Sequence, residues 1–169
     1  QRHHMQTLCS IAHMDYNLIG VHAYEQLFNT ILAMKLGDAA MLQTLRRMVF
    51  NVAAANCDDH PKNFSFLIRQ GGTKWELAPA YALTFAYNPA NKWVSQHLMS
   101  VNGKFQSIKR DDVRAVADAY GMLAHVDGII DAVQTAIDRW DRHADAAGVP
   151  AAQRAPITAE LERRSLARR

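Results

Sequence analysis

Two aspartates, a histidine, a lysine and two asparagines crowd into one bend of the chain, Asn-Cys-Asp-Asp-His-Pro-Lys-Asn at residues 56–63. An apolar run with helical spacing precedes the bend, and an alternating apolar segment follows it. One reading is local: Asp and Asn side chains hydrogen-bond nearby backbone in turns, with Lys62 solvated and His60 a structural donor. The other is chemical. Asp58 and Asn63 stand five positions apart, so a tight loop can set a carboxylate and an amide oxygen on opposite sides of one reacting group. Phosphoryl transfer asks for that set: an acceptor for the incoming hydroxyl's proton, an oxygen to hold a divalent cation, and a nearby lysine to neutralise phosphate charge.

The spacing Asp-x-x-x-x-Asn also occurs in the catalytic loop of protein kinases. It is common by chance, so the surrounding text has to decide. The window from Asn51 to Pro89, together with the opening "RHHMQTL…DYN" and the later "GKFQSIKRDDVRAVADAYGM", resembles the C-terminal domain of the HipA-like kinases, toxins of bacterial toxin–antitoxin pairs. The carrying elements are the bend with His60, Lys62, Asn63 and Phe64, the hairpin after it, and Leu-x-Pro-x-Tyr at 77–81. The likeness runs from about residue 2 to 148.

That resemblance implies transfer of the ATP γ-phosphate to a serine or threonine hydroxyl. Asp58 would accept the hydroxyl proton, His60 would brace the loop, Lys62 would sit near the transferred phosphate, and Asn63 would ligate Mg²⁺. Asp59, one position too close to Asn63, is the poorer base. The implied cofactors are ATP and Mg²⁺. The implied partners are a protein substrate, typically of the translation machinery, and a DNA-binding antitoxin, through which alone DNA would be met. Two departures stand out. The family places an aspartate, its second metal ligand, directly after the tyrosine, whereas this chain has Ala82. Upstream of the bend there is no Gly-rich phosphate loop and no strand lysine, so the chain reads as the C-terminal lobe alone, with no kinase activity expected in isolation. The alternative is a pseudokinase, a non-catalytic module that binds the antitoxin.

The elements that must position the bend are mainly α-helical, a kinase C-lobe-like arrangement with a small β-hairpin inserted after the loop. Periodicity predicts a helix over 21–36, stopped by Gly37, and a second from an Asp38 N-cap to about Asn56, before Pro61. "NFSFLIR" and "TKWELA" around Gly71-Gly72 predict the hairpin. Residues 78–96 lack periodicity and read as ordered loop, and a second small hairpin is expected through Asn102-Gly103. Ser107 is the expected cap of a helix to Tyr120. One helix over 123–147 should end at Gly148, with another opened by Pro150.

Composition fits a globular chain of one domain: 169 residues, 49% hydrophobic and 21% charged. No apolar run approaches the roughly 18 residues of a membrane span, and no signal-like start is present, so a cytoplasmic protein without membrane partners is expected. Because the first residue is Gln1, the sequence reads as part of a longer protein. Cys9 and Cys57 make no zinc set and are expected to be reduced thiols; His3, His4 and His13 near Cys9 do not amount to a metal site. The basic end, Arg163, Arg164, Arg168 and Arg169, suits a helix C-terminus or a nucleic-acid contact. Trp75, Trp93, Trp140, Tyr81, Phe85 and Tyr87 are expected to pack in core or loop.

Overall fold

A computed structural model describes residues 2–167. Seven α-helices dominate it, and two small sheets flank the bend. Strand β1 (His4–Thr7) leads into a single helical turn, α1 (Leu8–Ile11), and β2 (His22–Ala23) leads into α2 (Tyr24–Ala33). Helix α3 (Asp38–Ala53) ends before the bend, which tightens into a 3₁₀ turn at Pro61–Asn63. Then come β3 (Ser65–Ile68), β4 (Trp75–Leu77) and β5 (Met99–Ser100). The rest is helical: α4 (Arg110–Ala119), α5 (Leu123–Ile137), α6 (Trp140–Ala146) and α7 (Ala151–Arg163). The mainly helical class expected from sequence is observed.

The core lies between α2, α3, α5 and the inner face of β3. Tyr24, Phe28, Leu45, Met48, Phe66 and Ile130 are all fully enclosed there. Each such side chain contributes roughly 1.5–3 kcal/mol by leaving water, which makes α3 a rigid base for whatever follows it. Both the Ser65–Ile68/Trp75–Leu77 hairpin and the ordered loop over 78–96, with its bridge at Ala86 and its turns at 88–94, follow the expectation.

Several details correct the sequence reading. Helix α2 begins at Tyr24 rather than residue 21, because His22 and Ala23 pair in parallel with Met99 and Ser100. Gln26 Oε1 then accepts the Ala23 amide at 2.8 Å and closes the first turn. Gly37, not Asp38, is the N-cap of α3; Asp38 sits in the first turn, where its charge faces the positive helix end. The same helix stops at Ala53, not Asn56. Ala55 turns left-handed at φ 53°, and the Asn56 amide returns to the Asn51 carbonyl at 2.9 Å.

The hairpin has a third strand that sequence did not show: β1 lies antiparallel to β3, with His4 opposite Ile68 and Thr7 opposite Ser65. The second expected hairpin reduces to one bridge, Val101 with Lys104 around Asn102-Gly103, because Met99 and Ser100 pair with β2 instead. Lys109 rather than Ser107 caps α4, its amide held by Asp112 at 2.8 Å. The 123–147 helix is two helices, broken at Asp138–Arg139, and Pro150 lies just before α7 as its N-cap.

Candidate functional site

The polar bend owes its shape to the end of α3 and to the segment after β4. The Cys57 amide donates to the Ala86 carbonyl and the Ala86 amide to the Ala55 carbonyl, both at 3.1 Å. The Asn56 side-chain amide donates at 2.9 Å to both Asn51 Oδ1 and the Ala82 carbonyl. From the other side the Tyr81 hydroxyl donates to the Lys62 carbonyl at 2.7 Å and sits against Ser65 Oγ. Arg47, buried on α3, reaches the Ala78 carbonyl at 2.6 Å. Residues 56–63 and 78–86 therefore face each other as one braced unit.

The two aspartates take opposite environments. Asp58 leaves nearly half of its side chain in solvent and lies 3.5 Å from His60 Nε2. Asp59 is fully enclosed. Its Oδ2 accepts from the Tyr24 hydroxyl at 2.8 Å and from His97 Nδ1 at 2.9 Å, and its Oδ1 accepts the Leu98 amide at 2.8 Å. Three donors satisfy a buried carboxylate, so Asp59 is the post on which the bend hangs. Tyr24 is held well above the ordinary phenol range by burial and by the Asp59 charge. Burial holds His97 down, while the Asp59 carboxylate and the Cys57 thiol pull the imidazole upward.

Of the residues singled out in sequence, Asn63 and Ala82 come together: both line one small hollow with Asn56, Asp59 and Tyr81. Asn63 Nδ2 donates to the Asp58 carbonyl at 2.6 Å, which leaves its Oδ1 outside that bond. Asn56 Oδ1 is buried and has no hydrogen-bond partner among the described residues. Lys62 points elsewhere, its ammonium 4.3 Å above the Tyr16 ring, and His60 is tilted against the same ring at 5.9 Å.

A Mg²⁺ ion held in the way the sequence resemblance implies does not fit the residues present. The hollow offers about 10 Å³, the room of about one water. It meets the methyl group of Ala82 where a hard cation needs oxygen. Among the described residues no three His, Cys, Asp or Glu side chains gather so as to hold a metal ion. Backbone geometry at this position is informative: Ala82 is left-handed, at φ 52°. Asp and Asn adopt that conformation several-fold more readily than other non-glycine residues.

Sequence reasoning missed the buried network of Tyr24, Asn51, Asp59 and His97. Its signal was the paired aspartate itself, since two adjacent carboxylates in a bend seldom share one environment. His97 carried no signal, because nothing in "VSQHLMS" predicts a ring brought to Asp59 across 38 residues. The histidines near Cys9 have ordinary duties: His3 Nδ1 accepts the Gln70 amide at 3.1 Å, and His4 stacks edgewise on Trp75 at 5.4 Å. Cys9 and Cys57 are both free thiols. Arg163 and Arg164 share Glu160 and lie over the Tyr87 ring, whereas Arg168 and Arg169 fall outside the described residues. Trp93 is more than a third exposed, so it does not pack as fully as expected. No helix of the described residues is long and apolar enough to cross a membrane.

A helical domain with a braced polar bend after its central helix, closed over by a Tyr81-Ala82 segment, is the class of structure defined here. The chain belongs to the family of HipA-like C-terminal domains, whose pattern it matches over residues 1–159. Among solved structures it is similar to HipA of Shewanella oneidensis MR-1, determined in a toxin–antitoxin complex with HipB and operator DNA. The TM-score is 0.59 at 22% identity, over 85% of this chain and 34% of that one. This chain therefore spans about a third of the length of the HipA it matches. Comparison with curated proteins finds no match.

Proposed function

We propose that this domain is the catalytic-loop portion of a HipA-like serine/threonine kinase, disabled at residue 82. The observation that carries the reading is the meeting of Asn63 with Ala82 in one hollow, the latter in a backbone conformation suited to aspartate. Asp58 is the proton acceptor for an incoming hydroxyl, since its carboxylate reaches solvent while Asp59 is consumed by three donors. His60 steadies Asp58 from 3.5 Å. Lys62 has to leave the Tyr16 ring to meet a phosphate, and an exposed cation–π contact costs only about 0.5–1 kcal/mol to break.

ATP and Mg²⁺ belong to the reading as cofactors of the restored site. The test uses a full-length HipA-like protein carrying this domain, with residue 82 as alanine and after Ala82→Asp. Phosphoryl transfer from ATP to a serine-containing protein is measured in both. A missing ligand worth about 4 kcal/mol in the transition state lowers turnover roughly a thousandfold, so the Ala82→Asp protein is expected to be faster by that factor. If neither protein transfers phosphate while both fold, the kinase reading fails.

A second reading, a pseudokinase that binds a DNA-binding antitoxin, draws on the solved HipA assembly with HipB and operator DNA. The bend is braced from both sides although an alanine stands at residue 82, which suits a scaffold. Antitoxin binding that ignores ATP and Mg²⁺ and survives Asp58→Asn favours this module; binding that requires both favours the enzyme.

A further inference from the structure

Arg164 is the C-cap residue just past α7, outside the matched residues 1–159, yet it reaches the buried network beneath the bend. Its Nη1 is 2.8 Å from His97 Nε2. A guanidinium has five donors and no acceptor, so in this contact Nε2 must supply a lone pair. The other ring nitrogen, Nδ1, is 2.9 Å from Asp59 Oδ2, an acceptor, and must carry the proton. His97 is 1% exposed, so no bulk water stands in for either partner. The two contacts together select one tautomer.

We propose that Arg164 is a positioning residue for the polar bend: its guanidinium holds the His97 ring neutral with the proton on Nδ1, and that ring fixes the Asp59 carboxylate from which the bend hangs. The inference concerns the geometry of the bend and stands whether or not the bend transfers phosphate. Arg164 is itself well placed for this. Only about a tenth of its side chain is exposed, its Nε donates to Glu160 Oε1, and its guanidinium lies 4.8 Å from the Tyr87 ring.

The groups around the ring pull in opposite directions, and the contact at Nε2 decides between them. Against its burial, Asp59 and the Cys57 thiol pull the ring from the bend toward a second proton, up to about 9. Arg164 is not among the causes of that rise, and a guanidinium donor already seated 2.8 Å from Nε2 bars the proton from that nitrogen. Arg164 faces the opposite edge, and Arg163 and Lys109 line the same recess, so a ring proton at Nε2 would point into positive charge. Glu160 is occupied by the two arginines. Charge thus alternates along the line Asp59, neutral imidazole, Arg164, Glu160, as it does where a carboxylate fixes an imidazole's tautomer and leaves its second nitrogen free to accept.

The experiment records long-range proton–nitrogen spectra of the imidazoles in the ¹⁵N-labelled chain, from about pH 6 to about pH 9. In the unchanged chain at neutral pH, His97 should show a protonated Nδ1 and a bare Nε2. Arg164→Ala should let the ring take a second proton at neutral pH. Arg164→Lys, which keeps a donor and a charge, should retain the bare Nε2. Hydrogen exchange of the Leu98 amide, which reports the Asp59 carboxylate, should rise about tenfold in Arg164→Ala. A doubly protonated His97 in the unchanged chain at neutral pH overturns the proposal. So does an Arg164→Ala spectrum that matches the unchanged one. Should Arg164→Ala not fold, the tautomer in the unchanged chain still decides.

Discussion

Asp58 and Asp59 are adjacent and chemically identical, yet the fold gives one to solvent and uses the other as an internal post. Their substitutions should part accordingly. Asp59→Asn replaces one acceptor oxygen by a donor that faces Tyr24, His97 or Leu98, and leaves at least one of those donors buried without a partner. The expected loss is about 3 kcal/mol of unfolding free energy. Asp58→Asn, at a half-exposed carboxylate, should change stability by no more than about 0.5 kcal/mol. Urea unfolding midpoints of the two variants check this, and equal midpoints would contradict the assignment of Asp59 as the post. Sequence made the bend visible because its polar residues are consecutive. It hid the division of labour, because burial depends on Tyr24, His97 and Leu98, which arrive from remote segments. Ala82 was legible as an oddity only against the family's pattern; its left-handed backbone was not legible at all.

Helices with strong apolar periodicity were read well, and their errors have local causes. The stripe over α3 survives as Met41, Leu45, Met48, Val49 and Val52, all buried. The start of α2 was misread because His22 and Ala23 are recruited into a two-residue parallel pairing, which no window of periodicity detects. Strand β1 was missed for a related reason: its side chains are exposed or half-buried, so it has no apolar alternation of its own. The union of α4 with α5 is electrostatic at one edge. Arg110 meets Asp127 and Asp131, both at 2.8 Å, and Arg114 also pairs with Asp127. Those hydrogen bonds, Arg114's first and Arg110's next, hold the Asp127 carboxyl down to about 2 against an ordinary 3.8. A depressed folded-state value means that this contribution is complete above about 3.8 and is lost as pH falls toward about 2. The unchanged chain should therefore lose stability across that window more steeply than Asp127→Asn, measured by urea unfolding at a series of acid pH values. Parallel slopes for the two proteins would refute the role of this edge.

Over the whole molecule, residues 160–166 are part of the body rather than an appendage, although the family match ends at residue 159. Leu161 and Leu166 are buried, at 8% and 2% exposure. The Leu166 amide donates to Gln134 Oε1 at 3.0 Å, and its carbonyl accepts from Arg110 at 3.1 Å. That one residue thus ties α7 to α5 and to the base of α4. Arg164 adds the contact to His97, so the C-terminal segment reaches from the rim of the helical layer to the bend. Cutting the chain after residue 159 exposes the surfaces that the two leucines covered, which costs roughly 1.5–3 kcal/mol each. It also removes the partners of Gln134 Oε1 and His97 Nε2, at about 1–3 kcal/mol for each buried polar group left unpaired. The sum, of the order of 5 kcal/mol or more, rivals the total stability of an ordinary domain. For a chain of this length each kcal/mol moves the midpoint by about 2–4 °C, so the truncated protein should melt at least about 10 °C lower in a thermal unfolding experiment. A midpoint within about 2 °C of the full chain would mean that the segment beyond residue 159 is carried passively, and the link from the C-terminus to the bend would fall with it.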